Sequence, residues 1–152
     1  MNHSPIRVRI VRLPHAKALE LPRYETAGAA GLDIAAALEQ PLTIVPGSIA
    51  RIPTGLLVEI PTGYELQLRP RSGLAARHGL TLPNSPATID SDFRGEILVL
   101  LQNLGAETVT IEPGMRIAQA VLQSVPRLEW HEVESLSSTD RGDGGLGSTG
   151  TH

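Results

Sequence analysis

Two stretches of the chain place charged and hydroxyl side chains at spacings that suit phosphate chemistry. Arg69, Arg71 and Ser72 come just before a run typical of a short helix, and helix N-termini bind anions through their N–H groups. Asp90 and Asp92 would face the same side if their segment is extended. Arginines that take up negative charge and a carboxylate that orients water are the groups that phosphoryl transfer needs. Each stretch is also explained by an ordinary helix cap or turn.

Two further polar residues lie in strand-like or glycine-rich surroundings. Asp33 stands among small residues over 27–36, which allow a backbone to approach closely, although the stretch also suits a turn stabilised by an Asp side chain. Gln119 ends the stretch Gly-Met-Arg-Ile-Ala-Gln, for which a plain strand is the alternative. Asp90 follows Ile89 in an otherwise apolar stretch, so we expect it to be partly buried.

The C-terminal segment 141–152 contains the glycine spacing G-x-G-x-x-G of a dinucleotide-binding loop over 142–147. Such a loop follows a strand and opens a helix, and only five residues remain after it here. A Walker A loop needs a lysine where this chain has Ser148 and Thr149. Two alternatives remain: a disordered tail without a function, or a segment that wraps a polyphosphate with Arg141 and its backbone N–H groups.

The composition limits the class of protein. A length of 152 residues suggests one domain, and 41% hydrophobic residues with only one Phe, one Trp and two Tyr predict an aliphatic core. A net charge of −3 argues against a general binder of nucleic-acid polymers, and the lack of cysteine excludes thiolate chemistry. Neither a secretion signal nor a run of about 20 apolar residues is present, so we expect a cytoplasmic location without a membrane partner.

Twelve prolines and fifteen glycines divide the chain into short pieces of alternating polarity, which is typical of strands joined by turns. The predicted strand regions are 7–11, several strands within 41–70, a fully buried strand over 95–105, and two strands within 107–125. Gly63 is expected to supply a positive φ in a turn. The segment 71–80 predicts one short helix, with Ser72 as N-cap and Gly79 as its stop. The pattern favours an all-β sandwich, jelly roll or barrel.

The composition changes after Trp130, where the chain becomes polar and glycine-rich. Such a change marks the edge of an ordered core, because little in the last residues can be buried. We therefore predict an ordered β domain over 1–132 and a flexible arm over 133–152.

Taken together, and in this order, five stretches resemble the motifs of the trimeric dUTPase family. The stretches are 27–33, 70–75, 84–95, 114–119 and 141–150, and all six residues of the second are those of the family. The likeness spans nearly the whole chain. It implies a jelly-roll-like β-barrel of the dUTPase type with one short helix and a flexible C-terminal arm that closes the active site.

The resemblance also implies an activity. It is the Mg²⁺-dependent hydrolysis of dUTP to dUMP and pyrophosphate, which supplies dUMP for dTMP synthesis and keeps uracil out of DNA. The family acts as a homotrimer in which each site is built from three subunits, with the arm donated by a neighbour. By this likeness Asp90 activates the attacking water, Gln119 supports the α-phosphate, and Asp33 holds Mg²⁺ through metal-bound water.

The same likeness assigns the substrate contacts. The phosphates, the uracil edge and the deoxyribose would be contacted by Arg71, Ser72, Gly73, Asn84, Thr88, Ile89, Phe93, Arg141, Leu146, Gly147, Ser148 and Thr149. Among these, Phe93 would lie under the deoxyribose, where a 2′-hydroxyl would clash, and the arm residues would close over the β- and γ-phosphates.

Three positions depart from the family pattern. Phe93 stands where Tyr is usual, Ala87 where Gly is usual, and Leu146 where the arm usually carries Phe. None of them removes a group that moves a proton or binds phosphate. Two alternatives stay open. One is a dCTP deaminase, or a bifunctional deaminase and dUTPase, with the same fold. The other is a non-catalytic relative that binds a nucleotide or a protein. Gly73, where deaminases tend to carry a second Ser, and the complete fifth motif favour the phosphatase.

Overall fold

The structure, a computed structural model, describes residues 5–145 and is built almost entirely of β-strands. Within that range it contains eleven strands and one α-helix. Their bounds are β1 Arg9–Arg12, β2 Leu32–Ala35, β3 Leu42–Ile44, β4 Ile49–Pro53, β5 Leu56–Glu59, β6 Tyr64–Arg69, α1 Ser72–His78, β7 Leu80–Thr81, β8 Ala87–Ile89, β9 Leu98–Asn103, β10 Val109–Ile111 and β11 Arg116–Ser124. A 3-10 helix, Pro14–Ala16, follows β1. The prediction of an all-β fold with one short helix is confirmed.

The strands pair antiparallel in four sheets that enclose one aliphatic core. The largest sheet has the order β2-β11-β6-β8, a second has the order β4-β9-β7, and β1-β5 and β10-β3 form two-stranded sheets. Alternation places Leu56 and Val58 in the core, as predicted. The largest fully buried aliphatic side chains are Ile34, Ile44, Ile52, Leu68, Leu80, Ile97, Leu101, Ile111, Ile117 and Val99.

The helix ends as the sequence predicts but begins differently. Gly79 is left-handed, with φ +65°, and its N–H donates to the carbonyls of Ala75 and Leu74, so it stops α1. The prediction that Ser72 is the N-cap is wrong, because Ser72 is the first helical residue. The cap is Arg71, whose backbone is extended and whose carbonyl accepts the first helical hydrogen bonds, from Leu74 and Ala75.

The strand β9 is buried on one face only, so the prediction of a fully buried strand over 95–105 is wrong. Val99 and Leu101 lie in the core, whereas Leu98 is 43% exposed and Leu100 is half-buried. The reason is that β9 is the middle strand of a sheet whose inner face alone meets the core. A single chain leaves Leu98, Leu100 and Gln102 accessible on the other face of β9.

The predicted arm is described only as far as residue 145. Residues 133–145 form neither helix nor strand and are almost all exposed, while residues 146–152 lie outside the described part. The domain boundary near 132 therefore stays a prediction. None of the helices in residues 5–145 is long and apolar enough to cross a membrane.

Candidate functional site

A carboxylate and two guanidinium groups from three of the sequence motifs meet at one edge of the large sheet. Arg71 Nε lies 3.2 Å from Asp33 Oδ1, and Arg71 Nη2 lies 3.2 Å from Asp33 Oδ2. Arg116 Nη1 donates to Asp33 Oδ2 at 3.0 Å, and Arg71 Nη1 donates to the Arg116 carbonyl at 3.0 Å. The Asp33 side chain is only 20% exposed. Glu25 Oε1 lies 3.7 Å from both Arg116 Nη1 and Arg23 Nε, so the cluster continues into a more exposed network of ion pairs.

The sheet register brings the glutamine of the fourth motif beside this cluster. Gln119 on β11 lies opposite Asp33 on β2 and opposite Arg69 on β6. Gln119 Nε2 donates to the Pro70 carbonyl at 2.9 Å, just before the helix. A Cβ added to Gly31 would lie 2.5 Å from Gln119 Oε1, so a side chain there would displace the Gln119 amide. Asp33, Arg71 and Gln119 are thus brought together as the sequence predicts.

The start of α1 presents backbone N–H groups next to the cluster. Ser72 and Gly73 are the first two helical residues, and their N–H groups have no carbonyl four residues earlier within the helix. A Cβ on Gly73 would lie 3.1 Å from Arg77 Nη2. Arg69, by contrast, donates a hydrogen bond to Gln67 Oε1 at 2.8 Å, so its guanidinium group is engaged along β6 and not in the cluster.

The third motif lies at the opposite edge of the same sheet. Asn84 is exposed in a turn before β8, and Thr88 and Ile89 are on β8, which pairs with β6. Asp90 directly follows that strand. The expectation that Asp90 is partly buried is wrong for a single chain, in which Asp90 is exposed because β8 ends at Ile89.

The segment after Asp90 is a turn, so Asp90 and Asp92 are not placed on one face by an extended strand. The Phe93 N–H donates to the Asp90 carbonyl at 3.2 Å. The Phe93 ring lies over Gly95, where an added Cβ would be 2.6 Å from ring Cζ, and the residue is 40% exposed. Asp90 and Phe93 are therefore close neighbours on one accessible turn.

One chain does not bring the two groups of residues together. Asp33 lies on β2 and Asp90 follows β8, and these are the outer strands of the sheet. Three steps between neighbouring strands, at about 4.8 Å each, separate the two acids by roughly 14 Å or more. The cluster around Asp33 and the turn at Asp90 therefore form two half-sites in a single chain.

Arg141 lies in a third place, in the exposed C-terminal segment. Its Nε donates to the Gly144 carbonyl at 2.8 Å, and the Gly144 N–H donates back to the Arg141 carbonyl at 3.1 Å. This small turn gives the segment some local order. The other predicted arm contacts, Leu146, Gly147, Ser148 and Thr149, lie outside the described residues.

The sequence reasoning singled out Gln119 in the fourth motif but gave Arg116 no role. In a regular strand, residues three apart face opposite sides. The pairing of β11 with β2 shifts between Arg116 and Ala118, as in a β-bulge, and this places Arg116 on the same side as Gln119. In the sequence, the only sign of this role is that Arg116 is a charged residue three positions before Gln119. Without knowledge of the bulge, that spacing predicts that the two side chains face opposite sides of the sheet.

The fold and the site define an all-β protein with an arginine–carboxylate cluster at one edge of its largest sheet. The sequence profile described as dUTPase matches residues 17–150. The chain is 58% identical over 144 residues to the deoxyuridine 5'-triphosphate nucleotidohydrolase of Rhizobium meliloti, a match that covers 93% of this chain and 90% of that protein. It is 56% identical over 144 residues to the protein of the same name from Brucella melitensis, covering 93% of this chain and 92% of that one.

A solved structure agrees with these relatives. The dUTPase of Staphylococcus bacteriophage 80alpha, solved with dUPNHPP, is similar with a TM-score of 0.83 at 26% sequence identity, covering 95% of this chain and 98% of the phage chain. The chain belongs to the dUTPase family. Its five sequence motifs are therefore those of its own family.

Proposed function

We propose that this chain is a dUTP diphosphatase, which hydrolyses dUTP to dUMP and pyrophosphate. The observation that carries the proposal is the cluster of Asp33, Arg71 and Arg116 beside Gln119, in a chain that belongs to the dUTPase family. Two guanidinium groups and the N–H groups at the start of α1 suit a triphosphate. Positioning and charge neutralisation are what in-line attack on phosphorus mainly needs.

Asp33 is the residue that we propose for a magnesium ion. Mg²⁺ keeps several waters and is usually bound by one or two carboxylates together with substrate phosphates. Residues 5–145 contain no group of three or more His, Cys, Asp or Glu side chains that could hold a metal by themselves, and a single carboxylate acting through water fits that pattern. When bound, Mg²⁺ neutralises charge on the leaving pyrophosphate.

The arginine contacts imply an exchange of partners when the substrate binds. Both Asp33 oxygens accept hydrogen bonds from the two arginines, Oδ1 from Arg71 and Oδ2 from Arg116. Phosphate oxygens are strong acceptors for guanidinium groups, so a triphosphate competes with Asp33 for these two arginines. The carboxylate is then available to accept hydrogen bonds from other donors at the same place.

Asp90 is the residue that we propose for orienting and activating the attacking water. It is exposed at the start of a turn, so a water can reach it, and its carboxylate accepts a proton from that water. Gln119 supports the α-phosphate. The turn that begins with Asp90 also carries Phe93, which we place under the deoxyribose.

Backbone and side-chain groups on either side of this turn complete the proposed substrate contacts. Asn84, Thr88 and Ile89 contact the base, since they lie on β8 and in the turn before it. Uracil and cytosine reverse donors and acceptors at one edge, so fixed polar groups there discriminate strongly between them. Ser72 and Gly73 contact the phosphates, and Arg141 with the arm closes over them.

We propose a homotrimer whose sites are shared between subunits. Two features support it: Asp33 and Asp90 are too far apart in one chain to act on one phosphate, and the outer face of β9 and β4 exposes apolar side chains beside Gln102 and Arg51. Leu98 is 43% exposed on that face, and Ile49 on the neighbouring strand β4 is 55% exposed. A symmetric oligomer covers such a face and brings half-sites of different chains together.

The test of the activity is a panel of the four common deoxynucleoside triphosphates and dUTP, each incubated with the full chain and Mg²⁺. We expect pyrophosphate from dUTP alone. Ammonia released from dCTP would instead show a deaminase. A chain that binds dUTP without releasing pyrophosphate would show a non-catalytic relative, and either result would overturn the proposal.

A further inference from the structure

A histidine–glutamate pair outside the site described above joins three segments of the fold. Glu96 Oε1 accepts hydrogen bonds from His15 Nε2 at 2.8 Å and from the backbone N–H of Gly55 at 2.7 Å. The His15 and Glu96 side chains are only 29% and 25% exposed. Gly55 is left-handed, and a Cβ there would overlap that of Ala16, so the turn before β5 packs directly on the segment that carries His15. Glu96 is thus anchored from two sides.

Glu96 stands at the end of the segment 90–96, which carries Phe93. The start of this segment is fixed because Ile89 pairs with β6, but the next strand begins only at Leu98. The main chain is tied down again at Ile97, whose N–H donates to the Leu56 carbonyl at 2.9 Å. The Glu96 carboxylate therefore fixes the C-terminal end of the segment at residue 96, which is one residue closer to Phe93 than the main-chain hydrogen bond of Ile97.

The position of the Phe93 ring depends on the backbone just before Glu96. The ring lies over Gly95, where an added Cβ would be 2.6 Å from Cζ and 3.0 Å from Cε2. Phe93 is 40% exposed, so the core covers only part of the residue. A shift of residues 95 and 96 would move the surface on which the ring rests.

We propose that the His15–Glu96 pair is a positioning element that determines sugar specificity. By anchoring residue 96, the pair holds Gly95 and the Phe93 ring where a ribose 2′-hydroxyl would clash. The pair acts through Phe93 and does not contact the substrate. This inference rests on the proposed function, and in particular on the place of Phe93 under the sugar.

The experiment measures kcat/KM for dUTP and for UTP with full-length variants. We expect Glu96→Ala to lower the ratio of dUTP to UTP by about tenfold or more, because misplacing a positioning group by about 1 Å can cost on the order of 100-fold. His15→Ala removes one of the two hydrogen bonds and should lower the ratio by less. Glu96→Gln keeps an acceptor oxygen and should retain most of the ratio.

The matched control is Glu59→Ala, which breaks the pair between Arg9 Nη1 and Glu59 Oε2, 2.9 Å apart at the surface. Its ratio should equal that of the wild type. Should Glu96→Ala fail to fold, the comparison of His15→Ala with Glu96→Gln decides: a lower ratio in the former supports the proposal, and equal ratios overturn it.

Two results would overturn the inference while leaving the proposed function in place. One is an unchanged ratio in Glu96→Ala although Phe93→Ala lowers it. The other is a fall in dUTP and UTP turnover by the same factor, which would show a purely structural role. A wild-type protein that does not hydrolyse dUTP would instead overturn the proposed function itself.

Discussion

Arg71 binds both carboxylate oxygens of Asp33, with Nε 3.2 Å from Oδ1 and Nη2 3.2 Å from Oδ2. This contact joins the first motif, on β2, to the residue that caps α1. It holds the helix start, and with it Ser72, at a fixed place beside the carboxylate.

Replacing Asp33 tests its proposed role toward the metal. We expect Asp33→Asn to lower kcat/KM for dUTP by about 100-fold, since removing one group that stabilises developing charge costs on the order of 10²–10³. A titration of binding of a non-hydrolysable dUTP analogue against Mg²⁺ should show weaker metal dependence. Glu39→Gln, which changes an exposed carboxylate elsewhere, is the control. An Asp33→Asn protein with the wild-type Mg²⁺ dependence would contradict the assignment.

Replacing a glycine tests the position of Gln119. A Cβ at Gly31 would lie 2.5 Å from Gln119 Oε1, so Gly31→Ala should displace the amide and break its hydrogen bond to the Pro70 carbonyl. We expect turnover of dUTP to fall about tenfold or more, because a small displacement of a group that positions the substrate slows such reactions strongly. Gly28→Ala is the matched control, because an added Cβ there meets nothing within 4 Å. Equal rates for the two variants would show that Gln119 is not needed where it lies.

Removing the C-terminal arm tests whether it acts in catalysis. A chain that ends at Asp140 loses Arg141 and the residues after it, of which 141–145 bury almost nothing. The midpoint of urea unfolding should therefore stay close to that of the full chain. Turnover of dUTP should fall by about 100-fold or more, because closure completes and orients the site. Normal hydrolysis by the truncated chain would show that the arm is dispensable.

Local signals predicted most of the fold. Gly63 and Gly79 have the positive φ values, 89° and 65°, that their turn and helix stop require. Alternating polarity indicated several of the strands because one face of each packs on the core, whereas the short strands β2, β7 and β8 were not predicted. The exposed face of β9 was missed, since every position of the run 97–101 is apolar and such a run does not show whether one face or both are covered within the chain.

Long-range pairing explains what the sequence could not show about the site. Arg116 reaches Asp33 through a shift in strand register, and His15 contacts Glu96 across 81 positions of the chain. Residue type and local spacing do not reveal that Arg116 pairs with Asp33 or that His15 pairs with Glu96. The residues of the five motifs were found because their joint order resembles a family, while each stretch alone suited an ordinary cap, turn or strand.

We expect dUTP to be hydrolysed at a site that different copies of the chain complete together. We expect Asp90→Asn and Arg71→Ala to be inactive when each is made alone, with Asp90→Asn still binding the non-hydrolysable dUTP analogue. The direct measurement uses the two variants co-expressed with different affinity tags, followed by purification through both tags so that every particle contains both chains.

In such mixed trimers, one of the three symmetric interfaces pairs an intact Asp90 with an intact Arg71. We therefore expect dUTP turnover to recover to about one third of the wild-type rate per chain, from three-fold symmetry. Mixed particles that stay as inactive as either variant alone would show that Asp90 and Arg71 of the same chain act together, and that the site is not shared between chains.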